Sequence, residues 1–175
     1  VMLFATATAL LAVQRGGRGA ALPAFYTGRS VSMGSIDTSV ADQSCQTTAG
    51  HARLVCLADS LKTGLSAELL SRLQLPYSAT DAKRWSNFPP MVYGNRVGPT
   101  LGEFSPAQLG VVKALLKAAA GDAANEGYDE LEQILNADDF LKNSNGGNGF
   151  ASGNFHIAFL GTPAASGTWE LYFGG

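Results

Sequence analysis

Residues 152–175 read SGNFHIAFLGTPAASGTWELYFGG. Phe155, Ile157 and Phe159 alternate with His156, Ala158 and Leu160, a period of two that marks a strand. Gly161, Thr162 and Pro163 break the run, and after a loop of small residues Trp169, Leu171 and Phe173 alternate again. The pattern predicts a hairpin of strands over 155–160 and 169–173, joined by GTPAASG. Strand phase across that loop is not fixed by sequence, so the face taken by Trp169 stays open. A hairpin alone is marginal in water, and its outer edge offers unpaired backbone groups to a further strand. The candidates to supply one are the apolar residues at the start of the chain and the stretch YTGRSVSMGSI, residues 26–36.

Upstream of the hairpin the periodicity becomes helical. SPAQLGVVKALLKAAA carries the strongest signature: Ser105 caps, Pro106 takes the first helical position, Gln108 completes a capping box, and Leu109, Val112, Leu115, Leu116 and Ala119 form one apolar face. The hairpin's aromatic face is expected to pack on this helix, at 106–119. Leu54, Leu57, Ala58 and Leu61 mark a helix from His51, and Ser66 caps another with Leu69, Leu70 and Leu73 inward. A further helix runs through ANEGYDELEQILNADDFLKNS, with Tyr128, Leu131, Ile134 and Leu135 inward and Asp138–Asp139 read as a cap before FLKN. Adjacent in a helix, those two aspartates point about 100° apart and make no carboxylate dyad. Between the helices lies a proline-rich loop whose aromatics Tyr77, Trp85, Phe88 and Tyr93 are expected to cover something. The fold class is therefore α+β: a helical middle, about 51–142, packed on a C-terminal β-hairpin or sheet, preceded by an apolar N-terminal arm.

The region 1–50 reads as that arm followed by a Gly/Ser/Thr-rich extended part, loop with one or two short strands. VMLFATATALLAV, residues 1–13, carries no charge but falls short of the roughly 20 residues of a membrane span. It resembles the apolar core of a secretory signal, without a basic segment before it. Val1, Leu3, Phe4, Leu10 and Leu11 are the candidate assembly residues. Such an arm packs either on its own domain or on a neighbouring subunit, and both placements are open.

Composition narrows the function. The chain has 175 residues, a net charge of −2 and only 15% charged residues, with no basic stripe to neutralise phosphates, which argues against nucleic acid. Cys45 and Cys56 flank the polar stretch QTTAGHARLV. Two cysteines fall short of a four-ligand zinc site, and we expect a disulfide, contributing about 2–3 kcal/mol, rather than two separate thiols. No metal or cofactor is expected. Phosphate loops, nucleophile elbows and His-Glu-x-x-His are all absent. His51 starts a helix and is expected to be exposed. His156 is expected to face solvent, opposite Phe155 and Ile157; its functional reading is a ligand or proton carrier in a groove. With Asn87 and Glu170, which follows Trp169, it forms the candidate polar groove.

Five stretches, HARLVCLADSLKTGLSAELLSRLQLPY, RWSNFPP, GPTLGEFSPAQLGVVKALLKAAAG, EGYDELEQIL and SGNFHIAFLGTPAASGTWELYFGG, occur in an order that resembles the domain of unknown function 3500 family, over about residues 51–175. The resemblance implies secretion, or a place at the cell surface, and an α+β fold. In that family a pair of histidines, its best candidates for metal binding or catalysis, follows the final glycine; the sequence here stops at Gly174–Gly175 and is expected to be truncated before them. This points away from an enzyme. The leading expectation is a secreted structural or assembly subunit of an extracellular polymer or complex, self-associating into a homo-oligomer or filament through its arm and open sheet edge. The alternative is a fragment of a secreted hydrolase or a glycan-binding domain.

Overall fold

The computed structural model describes residues 26–86, 88 and 92–175. Asn87 and the arm residues Val1, Leu3, Phe4, Leu10 and Leu11 lie outside the described residues. The fold is α+β. Helices α1 (Ser39–Ser44), α2 (Gly50–Thr63) and α3 (Ala67–Leu73) lead into a two-residue strand, β1 (Gln74–Leu75). A short helix α4 (Ala79–Ala82), then α5 (Pro106–Ala120) and α6 (Tyr128–Leu141), precede strands β2 (His156–Leu160) and β3 (Glu170–Gly174).

α5 begins as its sequence dictates. Ser105 Oγ accepts from the Gln108 amide at 3.3 Å, and Gln108 Oε1 accepts from the Ser105 amide at 2.8 Å. Its apolar face, Leu109, Val112, Leu115 and Leu116, is buried with Leu57, Ala58 and Leu61 of α2 and with Phe155, Ile157 and Phe159 of the hairpin, so one core joins helices and sheet as the aromatic pattern predicted. Lys113, on the same helix, donates to the carbonyls of Met33, Gly34 and Ile36 at 2.8, 3.0 and 3.1 Å, which winds residues 33–36 over α5.

The sheet order is β1-β2-β3. β2 and β3 form the expected antiparallel hairpin, registering His156 with Gly174 and Leu160 with Glu170. The third strand does not come from residues 26–36. β1 pairs parallel with the far half of β2, Gln74 with Phe159 and Leu75 with Leu160. Residues 99–101 flank the near half of that edge: the Ile157 amide donates to Pro99 O at 3.1 Å and the Leu101 amide to Phe155 O at 2.8 Å. Residues 26–36 are spent on α5 and on Ser152, whose Oγ accepts from the Val31 amide at 2.8 Å.

Four further expectations change. A helix, α1, stands where composition suggested loop or strand. It is held by tertiary ties: Arg53 pairs with Asp42 at 2.6 Å, and Cys45 at its end is disulfide-bonded to Cys56 on α2, with Cα atoms 5.9 Å apart. His156 is buried, 2% exposed, because its face of the sheet carries a second apolar cluster of Val97, Ala158, Leu160 and Tyr172. Asp138 and Asp139 sit inside α6 rather than capping a new helix, since the helix runs on to Leu141. Ile134 points outward, half exposed. His51 is exposed, as expected, and stacks on Trp169 with ring centroids 5.7 Å apart.

The disulfide gives the first testable effect. Reduction, or a paired Cys45→Ala and Cys56→Ala replacement, is expected to remove about 2–3 kcal/mol of stability. The midpoint of a urea titration reads this directly, and an unchanged midpoint would mean that α1 is held by its other contacts alone.

Candidate functional site

Of the polar residues singled out from the sequence, Asn87 lies outside the described residues, and His156 and Glu170 are not brought together. His156 and Glu170 stand at opposite ends of the hairpin, one paired with Gly174 and the other with Leu160. His156 Nδ1 lies 2.8 Å from Gly98 O, which can only accept, so Nδ1 carries the proton and Nε2 accepts from the Tyr26 hydroxyl at 2.9 Å. Burial pushes its pKa down to about 4, with Arg96 and Arg72 acting in the same direction against the Gly98 hydrogen bond and Glu103. His156 is thus a neutral structural imidazole joining residue 26, residue 98 and the central strand.

A cleft of about 360 Å³ opens instead where the hairpin's Gly174 end meets α6. Phe155 and Phe173, stacked with centroids 5.8 Å apart, line the hairpin side. Leu131, Ile134 and Asp138 face it from α6, spaced as one side of a helix requires. Phe150 and Asn154 come from the link between α6 and β2, and Trp85, Ser86 and Phe88 close the remaining side. Trp85 and Phe88 cover the cleft rather than the core, at 60% and 58% exposure, and Tyr77 is exposed. They can stay outside because the core beneath is already filled from α5 and the hairpin, which leaves Trp85 and Phe88 to wall the cleft.

Two polar groups in this apolar setting are distinctive. Asn154 is only 3% exposed; its Nδ2 donates to Asn148 O at 2.8 Å, while Oδ1 is buried without a protein partner. An acceptor left so costs about 1–3 kcal/mol unless something donates to it. Asp138 is the second. Its neighbour Asp139 turns the other way and accepts from both the amide and the hydroxyl of Ser152 at 2.8 Å, which locks the turn Ser152–Asn154 onto α6. The 100° between adjacent helical residues thus sends one carboxylate to the scaffold and the other to the cleft. Burial, and next the Asp139 charge, raise the pKa of Asp138, with Arg96 opposing.

Arg96 organises the rim from behind. Its guanidinium donates to the carbonyls of Ser86 at 3.1 Å, Tyr93 at 2.5 Å and Gly175 at 2.8 Å, and also to that of Phe88. Burial in the middle of four carbonyls ties its two terminal nitrogens to the rim, while Nε is buried without a protein partner. A second depression, beside Asp59, Lys62 and Gln74, has no comparable buried polar group, and its Lys62 is paired with Asp59 at 2.8 Å. No group of three or more His, Cys, Asp or Glu side chains that could hold a metal ion occurs among the described residues. No helix among them is long and apolar enough to cross a membrane.

The fold and cleft define the protein as a disulfide-bonded α+β domain with a ligand-sized, aromatic-walled depression at the end of its sheet. The chain belongs to the family described as protein of unknown function (DUF3500), whose model matches residues 47–175. The match takes in Cys56 but begins after Cys45. No curated protein and no solved structure matches the chain.

Proposed function

We propose that this domain is an extracellular glycan-binding module and that the cleft between α6 and the Gly174 end of the hairpin is its binding site. One observation carries the reading: an aromatic-walled cleft of about 360 Å³ lined by Asn154, whose Oδ1 is a buried acceptor without a protein partner. A sugar ring has an apolar C–H face suited to Trp85, Phe88 or Phe150 and hydroxyls suited to Asn154 and Asp138. Binding is favoured over hydrolysis because glycosidases generally use a pair of carboxyl groups, and Asp138 is the single carboxylate among the described lining residues. The disulfide suits an oxidising, extracytoplasmic setting.

The chain has two tryptophans, so intrinsic fluorescence tests the reading. Methyl glycosides of neutral hexoses are expected to shift the emission saturably in the wild-type protein. Trp85→Ala removes that reporter, so its binding is read by calorimetry and is expected to weaken about tenfold, while Trp169 emission and the far-ultraviolet circular dichroism report an intact fold. The absence of any saturable response across a panel of neutral glycosides would defeat the proposal.

Assembly is a second reading, favoured by one observation: among the described residues β3 has no strand on its outer edge. Strand addition there, by residues 1–13 of a neighbouring copy, would build a homo-oligomer or filament. Deleting residues 1–13 should then yield folded monomers on a sizing column, and polymers that persist after the deletion would exclude the arm as the linking element.

A further inference from the structure

We infer that the cleft selects uncharged glycans against acidic ones, with Asp138 as the specificity-determining residue; this rests on the glycan-binding reading above. The chemistry lies in what faces the cleft. Asp138 is its one ionisable lining residue among those described, and no lysine or arginine accompanies it. The buried Oδ1 of Asn154, which also lines the cleft, accepts hydrogen bonds and offers none. The nearby cation, Arg96, is held by the carbonyls of Ser86, Phe88, Tyr93 and Gly175 and cannot turn to a ligand carboxylate without releasing them. Asp139, the next residue on α6, adds a second negative charge, with its oxygens occupied by Ser152.

Consider a uronic acid placed as its neutral hexose would be. Its hydroxyls could satisfy Asn154, but its carboxylate would lose hydration among aromatic rings without gaining a cation. It would also meet the like charge of Asp138 in a setting where water screens poorly. A neutral hexose carries a hydroxymethyl group at that position and can donate to either acceptor. The selectivity is therefore built by repulsion and by withheld cations as much as by attraction.

The test uses isosteric pairs that differ only at that carbon: methyl β-D-glucoside against methyl β-D-glucuronide, and the corresponding galactoside against galacturonide. Binding is read by tryptophan fluorescence at neutral pH. The wild type is expected to prefer the neutral member about tenfold or more. Asp138→Asn should reduce that ratio about tenfold, and Asp138→Glu, which keeps the charge, should preserve it. A merely structural role for Asp138 would weaken both members of a pair alike and leave the ratio unmoved. Equal affinity for both members in the wild type, or a ratio unchanged in Asp138→Asn, would overturn the selectivity while leaving glycan binding intact. Failure of every member of both pairs to bind the wild type would remove the glycan reading and this inference together.

Discussion

Gly98→Ala is expected to cost the domain about 4 kcal/mol or more, a large share of the 5–15 kcal/mol that stabilises a typical domain. Gly98 has φ +88°, a backbone state that side-chain-bearing residues rarely adopt. A Cβ built there would stand 2.0 Å from Ile157 O and 2.7 Å from its carbonyl carbon. These are backbone atoms of β2, the central strand, which is held by β3 on one edge and by β1 and residues 99–101 on the other. No rotamer change relieves the clash, so either the strand or the 98–100 segment must move. Movement of that segment also breaks the bond between Gly98 O and His156 Nδ1. Loss of soluble folded protein, or a collapsed urea midpoint, is the expected readout; a midpoint close to wild type would show that the approach of Gly98 to β2 is not as close as described.

Acid is expected to withdraw about 3 kcal/mol of stability between pH 6.5 and pH 4 through His156 alone. The sign follows from the depressed pKa, about 4 in the folded protein against an ordinary value of 6.5. Between those values the unfolded chain holds a proton that the buried imidazole does not, so unfolding gains protons and stability falls as pH falls. Above pH 6.5 the full contribution is present. Glu103 acts in a lower window. Burial would raise its carboxyl, but bonds from Arg72 at 2.5 and 2.9 Å and from the Thr100 amide at 2.8 Å outweigh that and lower it, so its contribution is lost as pH falls below the ordinary carboxylate range. Asp138, whose carboxyl is raised, works in the opposite sense. Both groups are common to the wild type and a His156→Gln variant, so the difference between the two urea-derived pH profiles isolates the histidine. A variant less stable at neutral pH is expected, with the gap to wild type narrowing by about 3 kcal/mol from pH 6.5 to 4; parallel profiles would refute the linkage.

Much of the architecture was legible because it is local. The Ser105–Pro106–Gln108 cap, the Leu109/Val112/Leu116 stripe and the alternation of Phe155, Ile157 and Phe159 each encode a period or a hydrogen bond spanning a few residues. The disulfide follows from two cysteines in one short segment, whereas the strand phase across the loop at Gly161–Gly167 was fixed only by the tertiary structure. The family resemblance over 51–175 rested on such motifs and agrees with the match over 47–175. The cleft was not legible in the same way. Trp85 and Phe88 were expected to cover something, but side-chain type does not say what, and Ile134 read as inward because it says nothing about whether the core is already full.

His156 shows the limit most clearly. In HIAFL an alternating pattern and a continuous buried run look alike, and the sequence left His156 on an apparently solvent-facing side. The buried outcome depends on Val97, Gly98 and Tyr26, far away along the chain, arriving over that face. Asp138 and Asp139 were correctly separated by helical geometry, but which one faced the cleft depended on where Ser152 docked. By itself, then, the sequence determined the capped start of α5, strand alternation, the cysteine pairing and the α+β class, since these are set by interactions between near neighbours. Only the tertiary structure decided that β1 rather than residues 26–36 completes the sheet, that His156 is sealed, and that Asn154 and Asp138 share an aromatic cleft. Those outcomes depend on contacts between distant segments competing for the same space and hydrogen-bonding groups, and no short window of sequence records that competition.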